Sequence, residues 1–154
     1  MNVRKTSILA VGLLFGSWGL MMSAYSYQYA KFITVKDIEK VTGLKGVVPI
    51  QKSADVDGDL NFARQDGKPI LSASFLPASA YAGAKSSPEG FKSIYPGIGE
   101  EAFIGPSGNS PSFILVFRKA AYTVMLNTEL ENEKQARIPI EQLVALAKII
   151  ASRM

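Results

Sequence analysis

Asp55, Asp57 and Asp59 stand at alternate positions in the stretch ADVDGDLNF, and oxygen ligands spaced in this way can converge on a hard cation such as calcium. An EF-hand loop that began at Asp55 would need glycine where Leu60 stands and glutamate where Asp66 stands. Neither is present, so the segment reads as a solvated turn ahead of a strand, and no metal site is expected. Glu100 and Glu101 are adjacent, so on a strand they point to opposite faces and cannot work as a carboxylate pair from one side. One of them can instead pair with Arg118 across the hairpin turn, where it either lines a pocket or makes an exposed contact worth under about 1 kcal/mol. Gly97 and Gly99 have the look of a short phosphate loop. The two acids that follow would repel phosphate, however, and a strand follows where a helix amino end is needed. Ser107 to Ser110 (SGNS) lacks the glycine-flanked serine of a nucleophile elbow and reads as loop.

Histidine and cysteine are both absent from the 154 residues. Their absence removes Ser-His-Asp and Cys-His devices, cysteine-ligated zinc, iron–sulfur centres, disulfides and a lipid-modified amino-terminal cysteine. A catalyst built from this chain would have to use carboxylate, lysine, tyrosine or an unusual serine, and Glu100 and Lys119 are the candidates. No cofactor is expected. A better-supported site is a surface for a partner. Ser86 to Gly99 (SSPEGFKSIYPGIG) is rich in serine, glycine and proline, yet it carries Phe91, Ile94, Tyr95 and Ile98. Long irregular segments of this kind carry function more often than simple connections do. The aromatics either form an exposed platform for a protein or small ligand or fold back over the sheet edge.

The elements that must position these residues are led by Ser112 to Thr128. Phe113 to Phe117 are five successive large apolar residues, so both faces of such a strand meet something dry, as in the middle of a sheet covered on both sides. A short connection at Lys119-Ala120 leads to Tyr122, Val124 and Leu126 on one face of a returning strand, which makes an antiparallel hairpin. Glu100 to Ile104 predicts a strand pairing with the apolar one across the turn from Gly105 to Pro111.

Gly58 to Arg64 and Ile70 to Leu76 alternate in polarity on either side of Gln65-Asp66-Gly67-Lys68, a second hairpin, with Leu71, Ala73 and Phe75 facing inward. Val47 to Gln51 predicts an edge strand, since Pro49 cannot donate to a ladder.

Thr34 to Gly43 predicts a helix: Thr34 caps it, Asp37 suits its amino end and Gly43 its left-handed exit. Ser79 is placed to cap a short helix through Lys85. The stretch from Glu129 to Arg137 is charged and reads as a solvated connector. Pro139 then opens a final helix whose apolar face is Ile140, Leu143, Val144, Ala147, Ile150 and Met154, with Leu146 and Ile149 beside it.

Residues 1–30 read as an export segment ahead of one domain over 31–154. Arg4 and Lys5 precede Ile8 to Ala24, which carries no charge over 17 residues, and Tyr25, Tyr27 and Tyr29 follow. That length falls between the apolar core of a cleaved signal peptide and a full transmembrane span. Small residues at Ala24 and Ser26 suit cleavage. The tyrosines suit a membrane–water interface and an uncleaved anchor, with the basic end cytoplasmic. Either way the body faces the periplasm or exterior. A buried core helix is the remaining reading, disfavoured by glycines among the apolar residues. Arg4 and Lys5 supply two of the four net positive charges, leaving 15 basic against 13 acidic residues in the rest. A body so nearly balanced has no nucleic-acid footprint.

The order helix, strand, hairpin, helix, long loop, strand, hairpin, helix, together with Tyr95-Pro96-Gly97-Ile98-Gly99-Glu100-Glu101-Ala102-Phe103, Leu115-Val116-Phe117-Arg118-Lys119 and Leu143-Val144-Ala145-Leu146-Ala147-Lys148, resembles small exported bacterial domains of unassigned function. These are similar to lipoprotein and sensor domains with a PsbP-like sandwich. The likeness runs over about residues 33 to 154. It implies an α+β fold, an antiparallel sheet with helices on both faces in a three-layer sandwich, and a non-enzymatic envelope binding module. The lipid-anchoring cysteine frequent in such domains is missing here, and no catalytic residue carries over from them. Three expectations for function follow: an envelope binding or interaction module whose partner is an envelope protein or small ligand, a carboxylate- or lysine-dependent enzyme, and a carrier of a small apolar ligand between sheet and last helix. Membrane contact would run through residues 8–24 if the leader is kept.

Overall fold

Thr34 opens the first helix, α1 (Val35–Thr42), through a reciprocal capping box. The Thr34 hydroxyl accepts from the Asp37 amide, and the Asp37 carboxylate accepts from the Thr34 amide at 2.9 Å. Gly43, at φ 73°, ends it in the left-handed region. Both ends fall where residue chemistry places them. The computed structural model describes residues 28–51, 58–86, 93–94, 96–107, 110–132 and 135–154. The export segment up to residue 27, with its cleaved and anchored readings, lies outside the described residues. Among the described residues no helix is long and apolar enough to cross a membrane.

After α1 the chain runs through β1 (Val47–Ile50), β2 (Asp59–Arg64), β3 (Pro69–Pro77), the short helix α2 (Ala80–Lys85), β4 (Ser93–Ile94), β5 (Glu101–Ser107), β6 (Ser110–Lys119) and β7 (Tyr122–Thr128). The small strands β8 (Leu130–Asn132) and β9 (Gln135–Ala136) lead to α3 (Ile140–Arg153). Seven strands form one sheet in the order β1-β2-β3-β7-β6-β5-β4, and every pairing in it is antiparallel. The class is therefore mixed α+β. The proline-bearing β1 lies at one edge, as its missing donor requires. The apolar β6 is interior, flanked by β5 and β7, and β7 occupies the midpoint of the order.

Alternation along β6 divides the core in two. Leu115 and Phe117, fully buried, join Val124 and Leu126 of β7 and Leu71, Ala73 and Phe75 of β3 under α1 and α3. Val116 points the other way and packs with Phe103 of β5 and Tyr81 of α2, with Ile114, Met125 and Ala84 half-buried around them. Each fully buried large side chain contributes about 1.5–3 kcal/mol. In α3, Leu143, Leu146, Ala147 and Ile150 are all at 0 % exposure. Leu146 therefore belongs to the middle of the buried face rather than its margin, and Val144 and Ile140 lie half-buried at the side.

Several local expectations are corrected. Ser79 makes no side-chain cap and already has helical dihedrals (φ −60°, ψ −24°), so α2 starts uncapped. Pro139 stands one residue ahead of the first turn of α3, extended at ψ 157°, with its carbonyl accepting from the Leu143 amide. The charged segment Glu129 to Arg137 holds a two-stranded ladder, β8–β9, in place of an open connector. There Arg137 Nε donates to the Leu130 carbonyl at 2.6 Å, so the guanidinium bridges the base of the ladder. The irregular stretch before Glu100 contributes β4 to the sheet, Ser93 opposite Ile104 and Ile94 opposite Phe103.

Candidate functional site

The segment read as a partner surface attaches to the sheet edge through β4. Phe91 and Tyr95 lie outside the described residues, as does the side chain of Ile94, whose backbone pairs with Phe103. Ile98 is placed differently from the expectation. It is 1 % exposed and part of the main core, so its side chain serves packing and offers nothing to a partner. The flanking glycines explain how it gets there. Gly97 and Gly99 have φ of 83° and 60°, and a Cβ at Gly99 would collide with the Arg118 carbonyl oxygen. The pair lets the backbone turn and pass close to β6, a structural need that accounts for the phosphate-loop look.

The charged residues next to this turn are engaged with one another. Glu100 donates its amide to the Arg118 carbonyl at 2.9 Å, while its carboxylate lies 3.2 Å from Arg118 Nε. The same carboxylate accepts from the Ala120 amide at 2.9 Å. Glu101, on the opposite face, pairs with Lys85 of α2. Lys119 Nζ donates to the Ala151 carbonyl in the last turn of α3 at 2.6 Å, where a cation also meets the negative end of the helix. Glu100, Glu101 and Lys119 thus each tie one part of the fold to another: the start of β5 to the β6–β7 turn, α2 to β5, and β6 to α3.

Above this end of the sheet lies Tyr81. Its ring meets that of Phe103 at 5.3 Å, and the Arg118 guanidinium sits over it at 5.7 Å. The phenol oxygen is buried without a hydrogen-bond partner. Burial, with a smaller push from the Glu101 charge and a partial offset from Arg118, raises its pKa to about 12. The group stays protonated at neutral pH, and no described base reaches it to make it a nucleophile.

On the same face, away from α2, three polar positions align across strands: Asn61 opposite Ser72, and Ser72 opposite Asn127. Ser72 Oγ donates to Asn61 Oδ1 at 2.6 Å. Beside Asn127 lie the half-buried Ile114 and Met125. This ladder was signalled only by polar residues at the outward positions of β2, β3 and β7, which a solvated face would show equally well.

Of the aspartates read as possible calcium ligands, Asp55 and Asp57 lie outside the described residues, and Asp59 opens β2 opposite Ser74. Among the described residues no group of three or more acidic side chains could hold a metal ion. Leu143, Leu146, Ala147 and Ile150 of α3 belong to the same buried cluster as Leu71, Phe75, Leu115, Phe117, Val124 and Leu126 of the sheet. No protein-family model, no curated protein and no solved structure matches the chain.

Proposed function

We propose that this chain is an exported binding module of the cell envelope that is not an enzyme, with a body facing the periplasm or exterior. The observation that carries the reading is the commitment of Glu100, Glu101 and Lys119 to contacts that hold the sheet, the β6–β7 turn and α3 together. Glu100 and Lys119 are among the residues that could supply acid–base or lysine chemistry in a chain without histidine or cysteine. The uncharged run at residues 8–24, with Arg4 and Lys5 before it, supports delivery across a membrane, after which the run is cut away or kept as an anchor. The domain is a three-layer sandwich of the PsbP-like kind, and the packing of Tyr81 and Ala84 on the face opposite α1 and α3 supports that layering. Its partner is an envelope protein or small ligand held by Phe91 and Tyr95, which flank β4 in the sequence.

The test is a pull-down from solubilised envelope with the full-length protein as bait, alongside its Phe91→Ala, Tyr95→Ala double variant. Loss of a specific partner from the variant supports the assignment of the surface. Identical partner sets from both baits would remove it.

A further inference from the structure

Tyr29 belongs to the segment between the uncharged run and the domain, yet it is packed on the domain. Its ring stacks on Phe75 at 4.7 Å with 13° between planes and meets Tyr122 edge-on at 5.8 Å. Phe32, one turn later, lies against the same two rings at 5.7 and 6.4 Å. The Phe32 amide donates to the Tyr29 carbonyl at 2.9 Å, closing a tight turn between them. Four rings thus clamp the entry of the chain to one end of the sheet. That end is well defined: Pro77 pairs with Tyr122, and the Ala78 amide donates to the carbonyl of Ala121 in the exposed β6–β7 turn. Lys31, between the two clamped aromatics, is exposed, and its ammonium lies 4.9 Å from the centre of the Phe32 ring. An amphipathic stem on an aromatic with its charge in water is an arrangement suited to a headgroup layer.

The uncharged run ends at Ala24, five residues before Tyr29, and a chain of that length spans at most about 17 Å. The far end of β3, at Pro69, is eight residues from Pro77, about 26 Å further along the strand. A tether so short keeps the clamped end near whatever holds the run. The ring stack fixes the point on the domain from which that tether leaves. We infer that the end of the domain that presents the half-buried Tyr29, the exposed Lys31 and the β6–β7 turn is a membrane-facing surface that rests on the lipid bilayer. The opposite end, with the β2–β3 turn, is then presented away from the membrane. This inference rests on the reading of residues 8–24 as a retained anchor.

The absence of cysteine from the chain makes site-specific labelling direct. Ala121→Cys places a label at the clamped end, and Lys68→Cys places one in the β2–β3 turn; both positions are exposed. Each full-length protein is fluorescently labelled and reconstituted into phosphatidylcholine vesicles containing a nitroxide-headgroup lipid. Flotation is measured first and quenching second. The expected result is co-flotation with at least twofold stronger quenching at 121 than at 68. Adding Tyr29→Ala, in a variant shown by its melting curve to remain folded, should bring the two labels together, whereas Tyr29→Phe should preserve the difference. A chain that does not float would remove the anchored reading and the orientation with it. A chain that floats with equal quenching at both positions would leave the anchor standing and overturn the orientation alone, as would unchanged quenching at 121 in Tyr29→Ala.

Discussion

Arg153 in the last turn of α3 donates from both terminal nitrogens to the two oxygens of Asp37 in the first turn of α1, at 2.6 and 2.7 Å. A bidentate guanidinium–carboxylate pair of this kind fixes direction as well as distance. Arg153 also donates to the Phe32 carbonyl at 3.2 Å, so one side chain joins the C-terminal helix, the first helix and the chain entry. Asp37 has a second task, because its carboxylate accepts from the Thr34 amide in the capping box.

Asp37→Asn should therefore cost about 1–2 kcal/mol, since Arg153 is partly exposed and solvent screening limits the pair to well below a buried one. The Arg153 hydrogen bonds, with those from Thr34, hold the Asp37 carboxyl well below the usual carboxylate range against a smaller opposing effect of burial. The sign follows from linkage: a depressed folded pKa gives stability that is present above the unfolded value and lost as pH falls below about 4 toward the folded one. Urea midpoints from pH 6 down to pH 2 should converge for wild type and Asp37→Asn. Midpoints that stay a constant distance apart across that range would mean the charged pair contributes nothing.

Ala120 has φ 51° in the two-residue turn between Lys119 and Tyr122, the one residue other than glycine with positive φ among those described. A Cβ in the left-handed region costs about 1 kcal/mol or more, and glycine avoids it at some expense in unfolded-state entropy. Ala120→Gly should gain roughly 0.5 kcal/mol, whereas Ala121→Gly, where no such strain exists, should lose a similar amount. Paired thermal melts decide it, and a loss of stability in Ala120→Gly would contradict the assigned strain.

How much of this was legible in the residues varies with the range of the signal. The five-residue run of β6, the alternation of β2 and β3 around Asp66-Gly67, the Thr34–Asp37 box and the periodicity of α3 are local patterns, and each element formed where its pattern lies. Strand β4 is two residues long, too short for any period, and it exists because β5 offers an edge. The β8–β9 ladder is hidden because Leu130-Glu131-Asn132 and Gln135-Ala136 are too short and too polar to show a strand period. The Asp37–Arg153 pair spans 116 positions, so only the packing of α3 across α1 brings it together. Within the candidate site, Ile98 looked like a surface apolar residue because it stands between two glycines in a polar stretch. Those same glycines are what deliver it into the core.

Gly99→Ala should accordingly be among the most damaging single changes in the domain. A methyl group there meets the Arg118 carbonyl on the backbone of β6, which cannot move without breaking its ladder, at a φ that disfavours any side chain. A loss of 2 kcal/mol or more, about, is expected. Gly97→Ala, with open space around it but φ of 83°, isolates the dihedral cost from the collision and should lose about 1 kcal/mol. Equal melting temperatures for the two variants would show that β6 yields at Arg118.

Tyr81→Phe tests the buried phenol from two directions. The ring, its contact with Phe103 and the Arg118 guanidinium above it are all retained in phenylalanine, and only the unpartnered oxygen is lost. Because an enclosed hydroxyl without a partner costs about 1–3 kcal/mol, the variant should be as stable as wild type or more so by about 1 kcal/mol at neutral pH. Alkali separates the proteins further. In wild type the unfolded chain releases the Tyr81 proton near 10, whereas the folded chain holds it to about 12. Rising pH favours the state that binds fewer protons, so this residue makes wild type lose stability between pH 10 and 12, on the order of 2 kcal/mol at full effect. The phenylalanine variant lacks that contribution. Urea midpoints measured at pH 9 and pH 11 should diverge in its favour. A variant that loses stability at pH 9, with both proteins falling equally toward pH 11, would show that the hydroxyl has a partner and that Tyr81 is wetter than its packing against Phe103 and Val116 requires.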